Sequence, residues 1–171
     1  MKKATVILLL LISAKVFSEG MIEKQGEVKF RNFHWGTSIK EFIAKEGRPD
    51  DRTMVDETTQ MKMLTYEDAE LSGYSAEMYV CFIPSGLCAG IYTIQCKDEV
   101  DLDSTFRDLS SKLTILYGIT LIDRDFIEEY MTAWLYTGGY IILLASDDEM
   151  TIALMYISPD AAKLDKNLYG L

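Results

Sequence analysis

The chain has 171 residues, of which 49% are hydrophobic and 26% charged, and these values are ordinary for a globular protein. They exclude a chain that is disordered over most of its length. The formal net charge of −10 disfavours binding to nucleic acid or to an anionic membrane, because like charges repel.

The first residues have the layout of a secretory signal peptide. Lys2 and Lys3 precede an apolar run, Ala4–Ala14, and a cleavage site follows Ser18. The run is too short to span a bilayer, which needs roughly 20 apolar residues. No cysteine lies near the site, so a lipid anchor is not indicated. We therefore predict a signal peptide over residues 1–18 and a periplasmic or secreted protein that does not span the membrane.

Removal of residues 1–18 would make the protein more acidic. It would leave 14 positive side chains against 27 negative ones, a net charge of −13. The polar, unpatterned stretch that follows, together with the start of an aromatic cluster, predicts a flexible lead over residues 19–33.

A helix is predicted to begin at Ser38 and to end at Gly47. Ser38 and Glu41 have capping-box spacing, which lets each side chain satisfy a free backbone N–H. Gly47 suits the left-handed residue after a helix, and Pro49 prevents continuation. The apolar stripe of this helix consists of Ile39, Phe42 and Ile43.

Three strand-like segments follow, rich in residues that favour strands. They are Met61–Glu67, Tyr74–Ile83 and Cys88–Cys96. Pro84-Ser85-Gly86 separates the last two and predicts a hairpin.

A second helix is predicted after residue 100. Asp101 or Asp103 would cap it, and Gly118 would end it. Its apolar stripe consists of Leu102, Phe106, Leu109, Leu113 and Leu116.

Three further strands are predicted, followed by a C-terminal tail over residues 158–171. The strands are Tyr130–Tyr136, Tyr140–Ala145 and Met150–Ile157. Gly138-Gly139 predicts a tight hairpin turn between the first two.

The element order is α-β-β-β, repeated. The predicted units cover residues 34–97 and 101–157. The predicted fold class is α+β: two tandem α-β-β-β units forming an antiparallel sheet, with helices packed on one face. Chance similarity of two α+β halves is the alternative.

Several motifs carry a family resemblance. They are Gly36-Thr37-Ser38 followed by Phe42 and Gly47-x-Pro49, then Leu64-x-Tyr66, then Phe82-Ile83-Pro84-Ser85-Gly86. This pattern resembles the small outer-membrane assembly lipoproteins and the β-lactamase inhibitor proteins, which use the unit twice in tandem. The resemblance covers residues 34–96 well and 101–157 loosely. It implies an exported, non-enzymatic protein-binding module. The chain departs from the pattern at Phe42 and Leu64, where the family has Val and Trp, and it has no lipobox cysteine.

The residues give no pattern for catalysis, a metal or a cofactor. His34 is the single histidine and lies between aromatic residues. Cys81, Cys88 and Cys96 lack zinc-ligand spacing. Since their number is odd, one thiol at least stays free or pairs between chains, and three buried thiols are the alternative. Gly36-Thr37-Ser38 could meet an anion at a helix start, but this is a weak signal.

Tyrosine and tryptophan on the predicted strands are candidates for partner binding, because such side chains bury a large area at low entropic cost. The candidate residues are Tyr66, Tyr79, Tyr92, Trp134, Tyr136 and Tyr140. If they share an exposed sheet face, they would bind an envelope or secreted protein partner. The alternative reading is that they belong to the core. The alternative function is a small-ligand or lipid carrier with a pocket between sheet and helices.

Overall fold

The computed structural model describes residues 24–57, 59–118, 122–126 and 129–161, so the predicted signal peptide lies outside the described residues. Eight strands and two helices lie wholly within this part of the chain, and residues 159–161 are also helical. In order they are β1 (Lys24–Glu27), α1 (Ile39–Glu46), β2 (Asp51–Asp56), β3 (Met61–Leu71), β4 (Tyr74–Ile83), β5 (Gly86–Gln95), α2 (Glu99–Tyr117), β6 (Ile122–Phe126), β7 (Glu129–Ser146) and β8 (Thr151–Ile157).

All eight strands belong to one mixed sheet. The order is β1-β7-β8-β5-β4-β3-β2, and β6 also pairs with β7. Strand β1 runs parallel to β7, whereas the other pairs are antiparallel. The two halves of the chain join where β5 pairs with β8, from Ala89 opposite Ile157 to Gln95 opposite Thr151.

The predicted fold class is therefore wrong. The described chain is mostly strand, and its single continuous sheet replaces two α-β-β-β units with helices packed on an antiparallel sheet. Four strands, not three, follow α1. The prediction failed because strand pairing across the two halves and the parallel addition of β1 are non-local, and sequence periodicity reports only local structure.

The boundaries of α1 are confirmed. The Ser38 Oγ accepts a hydrogen bond of 3.2 Å from the backbone N–H of Glu41. At the other end, Gly47 has a φ of +99°, and its N–H donates to the carbonyl oxygen of Ile43 at 2.9 Å. These contacts satisfy backbone groups that a helix end leaves free.

Helix α2 ends before Gly118 as predicted, but its start is different. Asp98 is the cap, and its carboxylate accepts from the N–H of Asp101 at 2.9 Å. The prediction of Asp101 or Asp103 as the cap is wrong. The apolar stripe is also shorter than predicted, since Leu116 is 71% exposed while Leu102, Leu109 and Leu113 are buried.

Strand β4 has the predicted bounds, and three strands, β1, β2 and β6, were not predicted. Strand β2 is short and polar, and strand β1 lies inside the predicted flexible lead. From residue 24 onward that prediction is wrong, because Val28, Phe30 and Phe33 are buried in the core. Of the predicted C-terminal tail, residues 158–161 are described, and Ser158 is buried.

The predicted hairpin turn at Gly138-Gly139 is absent from the described chain, because β7 runs through both glycines. Gly139 has a φ of +145°. The side-chain alternation changes phase at the pair: Trp134 and Tyr136 lie on the same side of the sheet as Ile141. The glycines therefore form an irregularity inside one strand, as a bulge does.

Both faces of the sheet carry buried side chains, as period-2 alternation of apolar residues allows. The helix-side core combines Phe42 of α1 and Leu102, Leu109 and Leu113 of α2 with Phe30, Phe33, Trp134 and every second residue of the central strands. The strand-only core consists of Met63, Tyr79, Cys81, Cys88, Ala89, Ile91, Met131, Ala133, Leu135, Ile142, Leu144, Ala153, Met155 and Ile157.

Neither helix in the described part of the chain has the length and apolarity that crossing a membrane would need.

Candidate binding cleft

A cleft of about 350 Å³ opens at one end of the sheet. It lies between the start of α1, the start of β3 and the turn that joins β4 to β5. Its lining residues are Gly36, Ser38, Ile39, Gln60, Lys62, Phe82, Ile83, Pro84, Ser85 and Gly86. The volume is at the lower end of the range for small-molecule sites.

The two walls of the cleft are joined by backbone hydrogen bonds. The N–H of Gly36 donates to the carbonyl oxygen of Leu87 at 2.9 Å, and the N–H of Leu87 donates to the carbonyl oxygen of Thr37 at 2.8 Å. This reciprocal pair connects the loop before α1 to the start of β5. These main-chain contacts fix two sides of the cleft against each other, and Gln60 and Lys62 line the remaining side.

Two glycines allow this close approach. A Cβ on Gly86 would lie 2.2 Å from the carbonyl oxygen of Gly36, and Gly86 has a φ of +113°. Gly36 has a φ of +84°. Residues with side chains rarely adopt such conformations, so both positions favour glycine.

The apolar floor belongs to the helix-side core. Phe82 is 1% exposed, and its ring packs edge-on against Phe42 with the ring centres 5.6 Å apart. Phe42 in turn contacts Phe33 at 4.4 Å between ring centres. Ile39 is partly buried against the same core. This chain of rings anchors the floor in the interior.

Lys62 supplies the positive charge of the cleft. It lies opposite Phe82 in the β3–β4 pair, so its side chain is on the same face of the sheet as the floor. It is the single ionisable side chain among the lining residues, and Ser38, Gln60 and Ser85 add neutral polar groups. The arrangement can hold an apolar group against Ile39, above the buried Phe82, and a hydrogen-bond acceptor or carboxylate near Lys62.

The six predicted partner-binding aromatics do not lie together. Tyr66, Tyr92, Trp134 and Tyr136 are on the helix side, whereas Tyr79 and Tyr140 contact the strand-only core. Trp134, Tyr79 and Tyr92 are only 0%, 3% and 5% exposed. The six therefore do not form one exposed surface, and Tyr66, Tyr136 and Tyr140 are the members that retain accessible area.

Two of the buried aromatics use their polar ends within the protein. The Trp134 Nε1 donates to the carbonyl oxygen of Gly118 at 2.8 Å, and the Tyr92 hydroxyl accepts from Arg31 Nη1 at 3.0 Å. Burial raises the pKa of the Tyr92 phenol above its ordinary value. Tyr79 donates to the Glu77 carboxylate, and burial is again the main cause of its raised pKa.

Two partly buried aromatics also bond to the main chain. Tyr66 donates to the carbonyl oxygen of Gly47 at 3.1 Å, and Tyr136 donates to the carbonyl oxygen of Tyr117. Both contacts secure the end of a helix to the sheet. The polar ends of these two tyrosines therefore have structural partners.

His34 and the three cysteines do not form one cluster. His34 is exposed and hydrogen-bonds Glu27 at 2.8 Å, and this bond is the main cause of a lowered pKa of the Glu27 carboxyl. All three cysteines are buried and free, with Cys81 and Cys88 in the strand-only core and Cys96 in the helix-side core. Among the described residues, His, Cys, Asp and Glu side chains form no cluster of three that could hold a metal ion.

Sequence reasoning missed Lys62 and Gln60 as candidate residues. It did identify both walls, as the Gly36-Thr37-Ser38 helix start and the Pro84-Ser85-Gly86 turn. The contact between these two segments was not predicted, because they are about 50 residues apart in the chain. The side-chain alternation of β4 turns Phe82 toward the core. This alternation was the available signal for Lys62, the residue opposite Phe82 on β3.

No protein-family model, curated protein or solved structure matches the chain.

Proposed function

We propose that the chain is an exported, non-catalytic protein-binding module of the bacterial cell envelope that receives a short segment of its partner in the cleft. The preformed cleft is the observation that supports this proposal most directly. The signal-peptide pattern of residues 1–18 supports export, and the cleft contains a single ionisable side chain, which suits binding better than acid–base chemistry.

Rigidity of the walls favours recognition. The reciprocal hydrogen bonds between the loop before α1 and the start of β5 hold the cleft shape before any partner arrives. A site that is already in its bound shape avoids the entropic cost of ordering on association. Because this cost is avoided, a short peptide segment can bind with sufficient affinity although the contact area is small.

The chemistry of the lining defines the segment. An apolar side chain would contact Ile39, and an acceptor group would lie near Lys62. The whole chain carries a net charge of −10, so a strongly acidic partner would be repelled at long range. We therefore expect a neutral or basic partner that presents one carboxylate or carbonyl group next to an apolar residue.

A small-ligand or lipid carrier is the second candidate. The cleft volume of about 350 Å³ falls within the range for small-molecule sites. The cleft is at the rim of the sheet, however, while helix-side core residues fill the interface between the helices and the sheet. A carrier would thus use the rim and not the predicted space between sheet and helices.

Site-specific photo-cross-linking tests the proposal. A photoreactive residue replaces Ser85 in the cleft wall, and a control chain carries it at Lys97, beyond the opposite end of β5. Both chains are exported into the envelope, irradiated, and their adducts are identified by mass spectrometry. We expect one protein partner at position 85 and none at position 97.

Charge reversal in the cleft provides the matched comparison. Lys62→Glu should reduce the adduct at position 85 at least tenfold, whereas Lys97→Glu, with the same change in net charge, should leave it unchanged. Equal adducts at both positions, or none at position 85, would contradict the proposal. A co-purifying small molecule that Lys62→Glu removes, without a protein adduct, would support the carrier instead.

A further inference from the structure

We propose that Cys81 and Cys88 are the site of an intrachain disulfide bond, with Cys96 left as a free thiol. The proposal rests on the pairing of β4 with β5 and is independent of what the cleft binds.

A bulge brings the two cysteines to the same face. Cys81 is opposite Ala89, and Phe82 is opposite Leu87, so Cys88 is the extra residue of β5 at this point. In a bulge, two residues of one strand oppose a single residue of the other, and Cys81 is that residue. Regular alternation would have placed Cys88 and Ala89 on different faces, but both belong to the strand-only core together with Cys81.

The Cys88 thiol lies next to the main chain of Cys81. The Cys88 Sγ lies 3.3 Å from the carbonyl oxygen of Cys81 and donates a weak hydrogen bond to it. Disulfides span Cα separations of about 4.4–6.8 Å, a range that suits residues on adjacent strands whose side chains share one face. The contact of the Cys88 Sγ with the main chain of Cys81 places the two residues side by side.

The third cysteine is separated from this pair by the sheet itself. Cys96 belongs to the helix-side core, on the opposite face, and its N–H donates to the carbonyl oxygen of Met150 at 2.8 Å. It follows Gln95, the last residue of β5, whereas Cys88 is near the start of that strand. The three cysteines therefore consist of one neighbouring pair, Cys81 and Cys88, and one separate thiol, Cys96.

Oxidation would occur by exchange with a disulfide oxidant. One cysteine thiolate attacks the oxidant disulfide and forms a mixed disulfide, and one oxidant thiol leaves. The second cysteine then attacks the mixed disulfide, so that the S–S bond of the protein forms and the second oxidant thiol leaves. Two electrons and two protons pass from the cysteines to the oxidant.

Burial makes this exchange slow in the folded protein. Both cysteines are 1% exposed, and burial raises the pKa of the Cys81 thiol to about 12 and also raises that of Cys88. The reactive thiolate is therefore rare once the sheet has formed. We expect the bond to form while the chain folds in an oxidising compartment.

The Cys81–Cys88 disulfide would form a covalent loop around the turn that forms one wall of the cleft. Phe82 to Leu87 lie between the two cysteines and include Pro84, Ser85 and Gly86 of the lining. A covalent loop of this length restricts the unfolded chain, so the oxidised protein should melt about 5 °C higher than the reduced one.

Thiol counting on the wild-type chain tests the proposal. The full chain is unfolded in reductant, refolded with either oxidised glutathione or reductant, then denatured and alkylated with iodoacetamide. Intact mass should show one alkyl group after oxidative refolding and three after reductive refolding. Peptide mapping should find the alkyl group on Cys96 and a link between Cys81 and Cys88.

Single substitutions assign the bond. Cys96→Ala should leave no alkyl group after oxidative refolding, while Cys81→Ala and Cys88→Ala should each leave two. Three alkyl groups on oxidatively refolded wild type, or a link that involves Cys96, would overturn the proposal. The mass measurement on wild type decides the matter even if a variant fails to fold.

Discussion

The indole Nε1 of Trp35 donates a hydrogen bond of 2.8 Å to the carbonyl oxygen of Gly138, in the middle of β7. This contact links the segment before α1 to a strand 103 residues later in the chain. It exists because β7 continues through the glycine pair and leaves the carbonyl group of Gly138 within reach. A half-buried indole N–H benefits from such a partner, since an unsatisfied donor is costly.

Trp35→Phe should therefore lower the free energy of unfolding by about 1–2 kcal/mol, because a phenyl ring remains while the hydrogen bond and the pyrrole part of the indole are lost. Urea denaturation followed by circular dichroism measures the change. Lys40→Ala, at an exposed position of α1, is the control and should leave the midpoint unchanged. An unchanged midpoint in Trp35→Phe would mean that the hydrogen bond does not stabilise the fold.

Gly138→Ala should destabilise the protein more than the loss of that bond. A Cβ at this position would lie 2.6 Å from the carbonyl oxygen of Gly26 and 2.9 Å from the Cα of Glu27. These are backbone atoms, so β1 must shift, at a cost of about 1–3 kcal/mol. Ser75→Ala, at an exposed position of β4, should change stability by less than about 0.5 kcal/mol. Equal urea midpoints for the two variants would argue against the close packing of β1 on β7.

Trp134→Ala should lower the free energy of unfolding by about 3–5 kcal/mol, because the side chain is fully buried and its removal leaves a cavity. Met54→Ala, on edge strand β2 and 49% exposed, should cost far less. Chemical denaturation of both variants provides the comparison. A Trp134→Ala variant as stable as wild type would contradict the burial of this residue.

Thr65→Val should leave stability unchanged or raise it by about 1 kcal/mol. Thr65 is 7% exposed, and its hydroxyl finds no hydrogen-bond partner among the described residues. A buried hydroxyl without a partner costs free energy that an apolar group of the same shape avoids. Thr105→Val, at a buried position of α2, is the comparison. A loss of more than about 1 kcal/mol in Thr65→Val would show that the hydroxyl does have a partner.

The pair of Asp108 and Lys112 should make stability depend on acidic pH. Hydrogen bonds from Lys112, at 2.7 Å, and from the Tyr74 hydroxyl, at 2.8 Å, hold the pKa of Asp108 below its ordinary value. A lowered pKa in the folded state stabilises the protein above the unfolded pKa, and this contribution is lost as the pH falls through the folded pKa. The urea midpoint of wild type should thus fall more steeply below pH 4 than that of Asp108→Asn. Parallel pH curves for the two proteins would contradict the prediction.

The sequence alone determined the features that depend on neighbouring residues. Ser38 and Gly47 mark both ends of α1, Gly118 marks the end of α2, and Pro84-Ser85-Gly86 marks the turn between β4 and β5. Each signal acts within about four residues, through a cap or a turn conformation. Local physics therefore sufficed to identify both walls of the cleft.

Only the tertiary structure decided how these parts combine. Strand β1 looks like a polar lead and becomes a strand because Gly26, Gly138 and Gly139 let it approach β7. Of these, Gly138 and Gly139 predict a turn when their sequence is considered alone. The cleft likewise exists because Gly36 and Gly86 allow two distant segments to touch. Strand pairing and backbone contact join residues far apart in the chain, and side-chain periodicity is the same whether or not such a contact forms.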